Sequence, residues 1–263
     1  MLSSKWIAEI ILSESRRLFV DPKRFLKISP SDQLLELEKT EIHYLRRVLR
    51  LRNKAEIEIV DGRGGLWKAF LQEGKFLKLI NPLHSSPVHS EELRPLICVA
   101  VVVPKRGFDE ALRMCCEIGV DVIQPLYSER GVVQNDEKFS RWLNILKEAV
   151  EQSERLWIPK LLPIVDSFQF WPMPKSSAGL AVATTRIKTL PDFSAWLNRE
   201  EHQKEHIWIA IGPEGGWTET EEKEAVSFGW QLVQLGDLIL RTSTAAVSAT
   251  QLMASWRRNT NFG

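Results

Sequence analysis

Cysteine is scarce: the 263 residues contain three, Cys98, Cys115 and Cys116. The number is odd and the spacing fits no metal-ligand pattern, so neither a disulfide framework nor a thiolate metal site is expected. Buried thiols in a reducing, cytoplasmic setting are the reading that remains. Long hydrophobic runs are missing as well. No stretch approaches the ~20 residues of a membrane span. The apolar cluster from Trp6 to Leu12 is short and carries Glu9, which argues against a secretory signal. Internal repeats and low-complexity tracts are absent. Charge of one sign is lacking overall, since the formal net charge is +1.

That balance conceals an asymmetry. Residues 1–84 carry 16 Lys and Arg against 11 Asp and Glu, whereas residues 85–263 carry 19 against 23. A basic module joined to a mildly acidic one suggests that the N-terminal part meets a polyanion, the alternative being an ordinary solvated charged face. Residues 1–15 read as an extension with helical potential. Arg17 to Val20, Ala55 to Val60, Leu66 to Leu71 and Phe76 to Ile80 read as strands, with a turn at Asp61-Gly62-Arg63-Gly64-Gly65. Thr40 is a plausible N-cap for a helix from Glu41 to about Leu51. On that helix His43, Arg46, Arg47 and Arg50 fall at i, i+3, i+4 and i+7 and share one basic face. Residues 16–84 therefore form a small β-rich module, and the proline- and serine-bearing stretch 85–95 reads as a linker.

Beyond it the pattern changes to strands alternating with helices. Leu96 to Val103 is continuously apolar, as expected of a parallel strand covered on both faces. Phe108 to Ile118 is helical and closed by Gly119. Val120 to Pro125 and Gly179 to Ala183 are strands, Lys138 to Arg155 and Pro191 to Glu200 helices. Residues 96–263 are accordingly an α/β domain with a parallel sheet.

Two glycine-marked turns stand near the C-terminus. Ile207 to Ile211 runs into Gly212-Pro213-Glu214-Gly215-Gly216-Trp217, and Leu232 to Leu235 runs into Gly236, followed by Leu238, Leu240, Arg241, Thr242, Ser243, Thr244 and Ala245. Ligands of open α/β sheets sit outside the carboxyl ends of strands. Neither turn is a Walker loop or a dinucleotide fingerprint. The first also reads as a plain strand-to-helix turn with Thr218 as N-cap and Glu221 closing a capping box. At the second, Thr242 or Ser243 serves as a cap, and Arg241 either pairs with a nearby acid or faces an anion at the helix start. Trp217 is the one tryptophan adjoining a glycine loop, which does not by itself establish base stacking. No general base is evident, and Glu214 is the only carboxylate inside a glycine loop.

These residues resemble the RsmE family. Ile211-Gly212-Pro213-Glu214-Gly215-Gly216, Leu235-Gly236, Ile239-Leu240-Arg241-Thr242 and Thr244-Ala245 are similar to its two defining motifs. Pro104-Lys105, Glu117-Ile118-Gly119-Val120, Pro125-Leu126, Ser128-Glu129-Arg130 and Glu151 to Arg155 match earlier blocks in order. Arg17 to Val20 and His43 to Arg50 look like its N-terminal PUA-like domain, so the resemblance spans about residues 16–258. It implies a SPOUT-type trefoil-knotted α/β parallel-sheet domain behind a small β-rich PUA-like domain, in a homodimer. It implies methylation of N3 of a uridine in small-subunit (16S) ribosomal RNA, naked or in the assembled 30S particle. S-adenosylmethionine is the implied donor and S-adenosylhomocysteine the product, with no metal and no membrane partner.

The implied cofactor residues are Ile211, Gly212, Glu214, Gly215, Gly216, Leu235, Gly236, Leu238, Leu240, Thr242, Thr244 and Ala245, with Arg241 catalytic. Arg17, His43, Arg46, Arg47, Arg50 and Arg155 are the implied RNA contacts. The chain departs from the family pattern at Leu238 and Ser243, where Arg and Glu are usual, and at Met114, where lysine is common. Two other readings stand beside this one: a non-catalytic rRNA-binding or assembly factor, and a SPOUT ribose 2′-O-methyltransferase.

Overall fold

The computed structural model describes residues 16–29, 31–83, 88–131, 138–174, 177–185, 189–199 and 204–262. The extension 1–15 and residues 85–87 of the expected linker lie outside the described residues. The chain divides into two compact units, one running to Glu92 and including Val150–Trp157, the other comprising Leu93–Ala149 and the remainder from Ile158.

The described strands of the first unit are β1 (Arg17–Phe19), β2 (Leu34–Glu36), β3 (Glu56–Val60), β4 (Gly65–Gln72), β5 (Phe76–Leu79) and β6 (Val88–His89). They form one sheet in the order β1-β3-β4-β5-β2, with β6 against β4. β1 runs parallel to β3 and the other pairs are antiparallel. The β3–β4 turn forms because the Asp61 carboxylate accepts the backbone N–H of Arg63 at 2.8 Å and of Gly65 at 3.0 Å. Trp67, Ala69 and Leu71 alternate inward along β4 and pack with Leu35, Leu45, Ile57 and Leu77. Trp67 meets Phe25 with ring centroids 4.7 Å apart.

Two features of this unit differ from the sequence reading. Val88–His89 pairs with Gly65 and Leu66, so the sheet extends into the stretch read as linker. The end of the long helix Phe139–Gln152 and the residues after it belong to the first unit. There Glu151 accepts the Phe19 N–H at 2.8 Å, and the Leu156 carbonyl accepts the Gly64 N–H at 2.9 Å. Gly64 sits at φ +92°, and a Cβ there would collide with the Ser90 carbonyl. These contacts join residues far apart in sequence, which local patterning does not report.

The described strands of the second unit are β7 (Leu96–Val102), β8 (Val122–Tyr127), β9 (Lys160–Leu161), β10 (Val165–Asp166), β11 (Gly179–Ala183), β12 (His206–Ile211) and β13 (Gln231–Val233). Their order is β10-β8-β7-β12-β11-β13 with β9 beside β8, and every pair is parallel. All of β7 is buried, as its unbroken apolar run requires. Leu96, Cys98, Ala100 and Val102 face a cluster containing Phe170, Trp171, Trp208, Trp217 and Trp230. Val99 and Val101 face Phe108, Ala111, Leu112 and Cys115 of the helix Phe108–Ile118 and Ala246 of the helix Thr242–Phe262. Burial raises the Cys115 thiol from 9.0 to about 11, so it stays protonated and unreactive in neutral solution.

A buried ion pair anchors the last helix. Arg257, 6% exposed, bonds the Asp121 carboxylate and donates to the carbonyls of Pro95 and Gly119, each at 3.2 Å. Asp121 also accepts the Ile97 N–H at 2.9 Å. The starts of β7 and β8 are thereby tied to the helix that crosses them. Arg257→Ala leaves a buried carboxylate without its cation, and should destabilise the fold by about 3–5 kcal/mol. Urea unfolding monitored by tryptophan fluorescence measures this; an unchanged midpoint would exclude the clamp.

Candidate active site

β11 lies between β12 and β13, so the chain leaves all three strands at neighbouring points of one sheet edge. A cleft of about 640 Å³, counting its part open to solvent, occupies that edge.

The first wall follows β12. Pro213 to Gly216 closes a turn in which the Gly216 N–H donates to the Pro213 carbonyl at 2.8 Å, with Gly216 at φ +69°. Trp217 then drops into the aromatic cluster, 2% exposed and 5.2 Å from Trp171 between centroids. It is a core residue that braces the turn rather than a platform for a base. A Cβ on Gly212 would stand 3.0 Å from the Trp217 indole nitrogen, so Gly212 is needed chiefly to seat that ring. The capping box forms as expected, with Thr218 and Glu221 exchanging bonds at 2.9 and 3.2 Å. Glu221 is fully buried and also accepts from the Ser167 hydroxyl at 2.9 Å.

The second wall follows β13. Gly236 takes φ +117°, a backbone state that side chains disfavour, with nothing within 4 Å of an added Cβ. Its glycine is demanded by conformation, not by crowding. Leu238 and Ile239 stand at the rim, 78% and 83% exposed. The buried Thr242 hydroxyl donates to the Gly212 carbonyl at 2.9 Å, fastening the second wall to the first.

Ile211, Gly212, Glu214 and Gly216 line the cleft, as do Leu235, Gly236, Leu238 and Leu240, with Thr242 and Ala245 at the helix start. Gly215 and Thr244 do not. Gly215 faces Arg130, and Thr244 is exposed on the helix. The lining also includes Pro213, Trp217 and Ile239 within the motifs, and Ala183, Thr184 and Thr185 beyond β11. The Thr184-Thr185 pair carries no recognisable motif, and only the place of β11 between β12 and β13 reveals it. Glu214 lines the cleft with no polar partner among the described residues. Arg241 is exposed at the helix start and likewise has no side-chain partner among them. It does not line the cleft itself.

In the first unit the basic residues separate. Arg17 is 8% exposed and bonds Glu58 at 2.8 Å, so its guanidinium is engaged in the fold and closed to a phosphate. His43, Arg46, Arg47 and Arg50 are exposed. They do not ride a regular α-helix from Thr40, however. The helix is Lys39–His43, with Glu38 at its N-cap, followed by a π-turn, Tyr44–Val48. The Leu49 N–H donates to the Tyr44 carbonyl at 2.9 Å, and Arg50 takes φ +52°. A π-turn widens the spacing between successive side chains, so the i, i+3, i+4, i+7 stripe is broken. Arg46 lies across Gly74, where any Cβ would meet its guanidinium. Arg155 is half-buried in the segment that returns to this unit.

Removing the Thr242 hydroxyl tests the wall-to-wall bond. Thr242→Val should lower stability by about 1 kcal/mol, read as a smaller urea midpoint at unchanged slope.

The chain matches the RNA methyltransferase domain family over residues 91–254 and the RNA methyltransferase PUA domain family over residues 37–80. It is 33% identical over 240 residues to ribosomal RNA small subunit methyltransferase E of Synechocystis, covering 89% of this chain and 75% of that protein. It is 26% identical over 217 residues to the Bacillus subtilis protein of the same name, covering 80% and 85%. Among solved structures it resembles that of ribosomal RNA small subunit methyltransferase E from Neisseria gonorrhoeae bound to S-adenosyl methionine. The TM-score is 0.78 and the identity 28%, over 92% of this chain and 98% of the other. With both domain matches in sequence order and the curated relative aligned across most of its length, the chain belongs to the ribosomal RNA small subunit methyltransferase E (RsmE) family.

Proposed function

We propose that this protein transfers a methyl group from S-adenosylmethionine to N3 of a uridine in small-subunit ribosomal RNA, leaving S-adenosylhomocysteine. The observation that carries the reading is the cleft at the carboxyl ends of β12, β11 and β13, walled by the two family motifs and fastened by the Thr242–Gly212 bond. The lining fits the donor. Backbone at Gly212, Gly216 and Gly236 offers N–H and C=O groups to adenine and ribose, and Ile211, Leu235 and Leu240 supply apolar contact. Glu214 sets a negative charge beside a cationic ligand. Bound there, the donor supplies an electrophilic methyl group whose transfer leaves a neutral thioether.

The protein must then hold N3 in line with that methyl and exclude water. In a duplex N3 faces its pairing partner, so the uridine has to be unpaired or flipped out. Losing the N3 proton places negative charge on the uracil oxygens. Arg241, exposed beside the cleft and unpaired among the described residues, stabilises that charge. His43, Arg46, Arg47 and Arg50 of the first unit contact RNA phosphates, adding affinity without sequence information. The substrate is the rRNA or the assembled 30S particle, and the working form is a cytoplasmic homodimer. Among the described residues no helix is long and apolar enough to cross a membrane. The return from the edge strand β13 to a helix packed on β7 and β12 supports the threaded topology implied by the family motifs.

Calorimetric titration with S-adenosylmethionine, followed by primer extension on rRNA from cells lacking this protein, tests the reading. Methylation at N3 stops the polymerase; a ribose methyl is mostly read through, and absence of donor binding would favour an assembly factor. Arg241→Ala should lower turnover by about 10²–10³-fold while sparing most donor affinity. Unchanged turnover removes Arg241 from the mechanism. Replacing Arg46, Arg47 and Arg50 together by Ala should weaken RNA binding and flatten the slope of log K against log salt by about 2–3. An unaltered slope would mean that these arginines do not touch phosphate.

A further inference from the structure

One arginine outside both glycine motifs reaches into the first of them. Ser128-Glu129-Arg130 follows β8, and its turn is closed by the Gly131 N–H donating to the Ser128 carbonyl at 3.0 Å. From that turn one Nη of Arg130 donates to the carbonyl of Gly215 at 3.2 Å and to the carbonyl of Trp217 at 3.1 Å. The aliphatic stem lies across Gly215, with Arg130 Cβ and Cδ at 3.4 and 3.5 Å from the position a Cβ would take. The neighbouring Glu129 N–H donates at 3.2 Å to Glu221, the buried carboxylate that caps the helix after the motif. Two adjacent residues of one turn thus grip both ends of the segment 215–221.

The grip bears on the cleft. Glu214 and Gly216, on either side of Gly215, line it, and Trp217 forms part of its floor. Gly216 sits at φ +69°, which a free glycine turn abandons readily for other states. One guanidinium nitrogen shared by the Gly215 and Trp217 carbonyls favours the turn geometry that brings both within its reach. The ordering cost of the turn is then met during folding rather than at ligand binding.

We propose that Arg130 is a positioning residue for the methyl donor: by bonding the Gly215 and Trp217 carbonyls it keeps the first glycine motif in its ligand-ready shape. It touches neither the reacting atoms nor the cleft, and it acts through the backbone that lines the cleft. This inference rests on the proposed donor site.

The test is donor binding by calorimetry without RNA, alongside steady-state kinetics with saturating RNA. Arg130→Ala should raise both the donor Kd and its KM about tenfold. At saturating donor, kcat should fall by less than about threefold, since only pre-organisation is lost. Arg130→Lys, whose ammonium has N–H groups for both carbonyls but sits on a shorter stem without the planar guanidinium, should recover part of the affinity. Urea unfolding of each variant separates this from general destabilisation; if Arg130→Ala does not fold, the Lys and Gln variants carry the comparison.

Donor affinity equal to wild type in a folded variant overturns the proposal. So does a kcat loss at unchanged KM, which would place Arg130 in the chemistry. A reduced RNA salt slope with intact donor affinity also overturns it, by making Arg130 a phosphate contact. If wild-type protein itself binds no donor, the proposed function fails and Arg130 loses the role assigned to it.

Discussion

Parallel strands lying side by side release their chains at the same end of the sheet. β11 pairs with β12 on one side and β13 on the other, so the segments after these three strands emerge as neighbours. The cleft is a consequence of that register, since each strand contributes the backbone just past its last pairing. A side-chain bond from Thr242 to the Gly212 carbonyl joins the two glycine motifs there. A change in strand order would scatter the same residues along the sheet edge with every local turn intact.

The last helix connects the two ends of this arrangement. It begins at Thr242 on the carboxyl edge and reaches Arg257 at the amino edge, where Asp121 and the carbonyls before β7 and after the helix Phe108–Ile118 receive it. Fifteen residues of helix rise about 22 Å, close to the roughly 23 Å of a seven-residue strand such as β7. The helix therefore spans the strand it covers. Among the described residues of the second unit, the two buried charged side chains serve as staples. Arg257 fixes the amino edge, and Glu221 fixes the carboxyl edge through Ser167, Thr218 and Glu129. Each is surrounded by hydrogen-bond partners, as burial of charge requires.

The first unit shows how tertiary demands override a local pattern. His43, Arg46, Arg47 and Arg50 carry α-helical spacing, yet the chain adopts a π-turn at Tyr44–Val48 and a left-handed residue at Arg50. Leu45 is fully buried in the same stretch, and the widened turn seats it in the core. Arg17 was legible as a basic residue at the head of a strand. That Glu58 would stand opposite it and claim its charge depends on the parallel pairing of β1 with β3, which no spacing rule encodes.

Much of the α/β unit was readable because its signals are local. An unbroken apolar run marks β7, Gly119 ends the helix Phe108–Ile118, and Thr218 with Glu221 starts the helix after the first motif. The ordered motifs were sufficient for family membership. The tertiary structure alone decided that Thr184 and Thr185 share the cleft, that Arg130 braces a loop more than eighty residues away, and that Gly215 and Thr244 face elsewhere. Local identity fixes which turns and caps are cheap for the backbone. Which of those turns become neighbours is set by strand order and packing, whose energies arise between residues that the linear chain keeps apart.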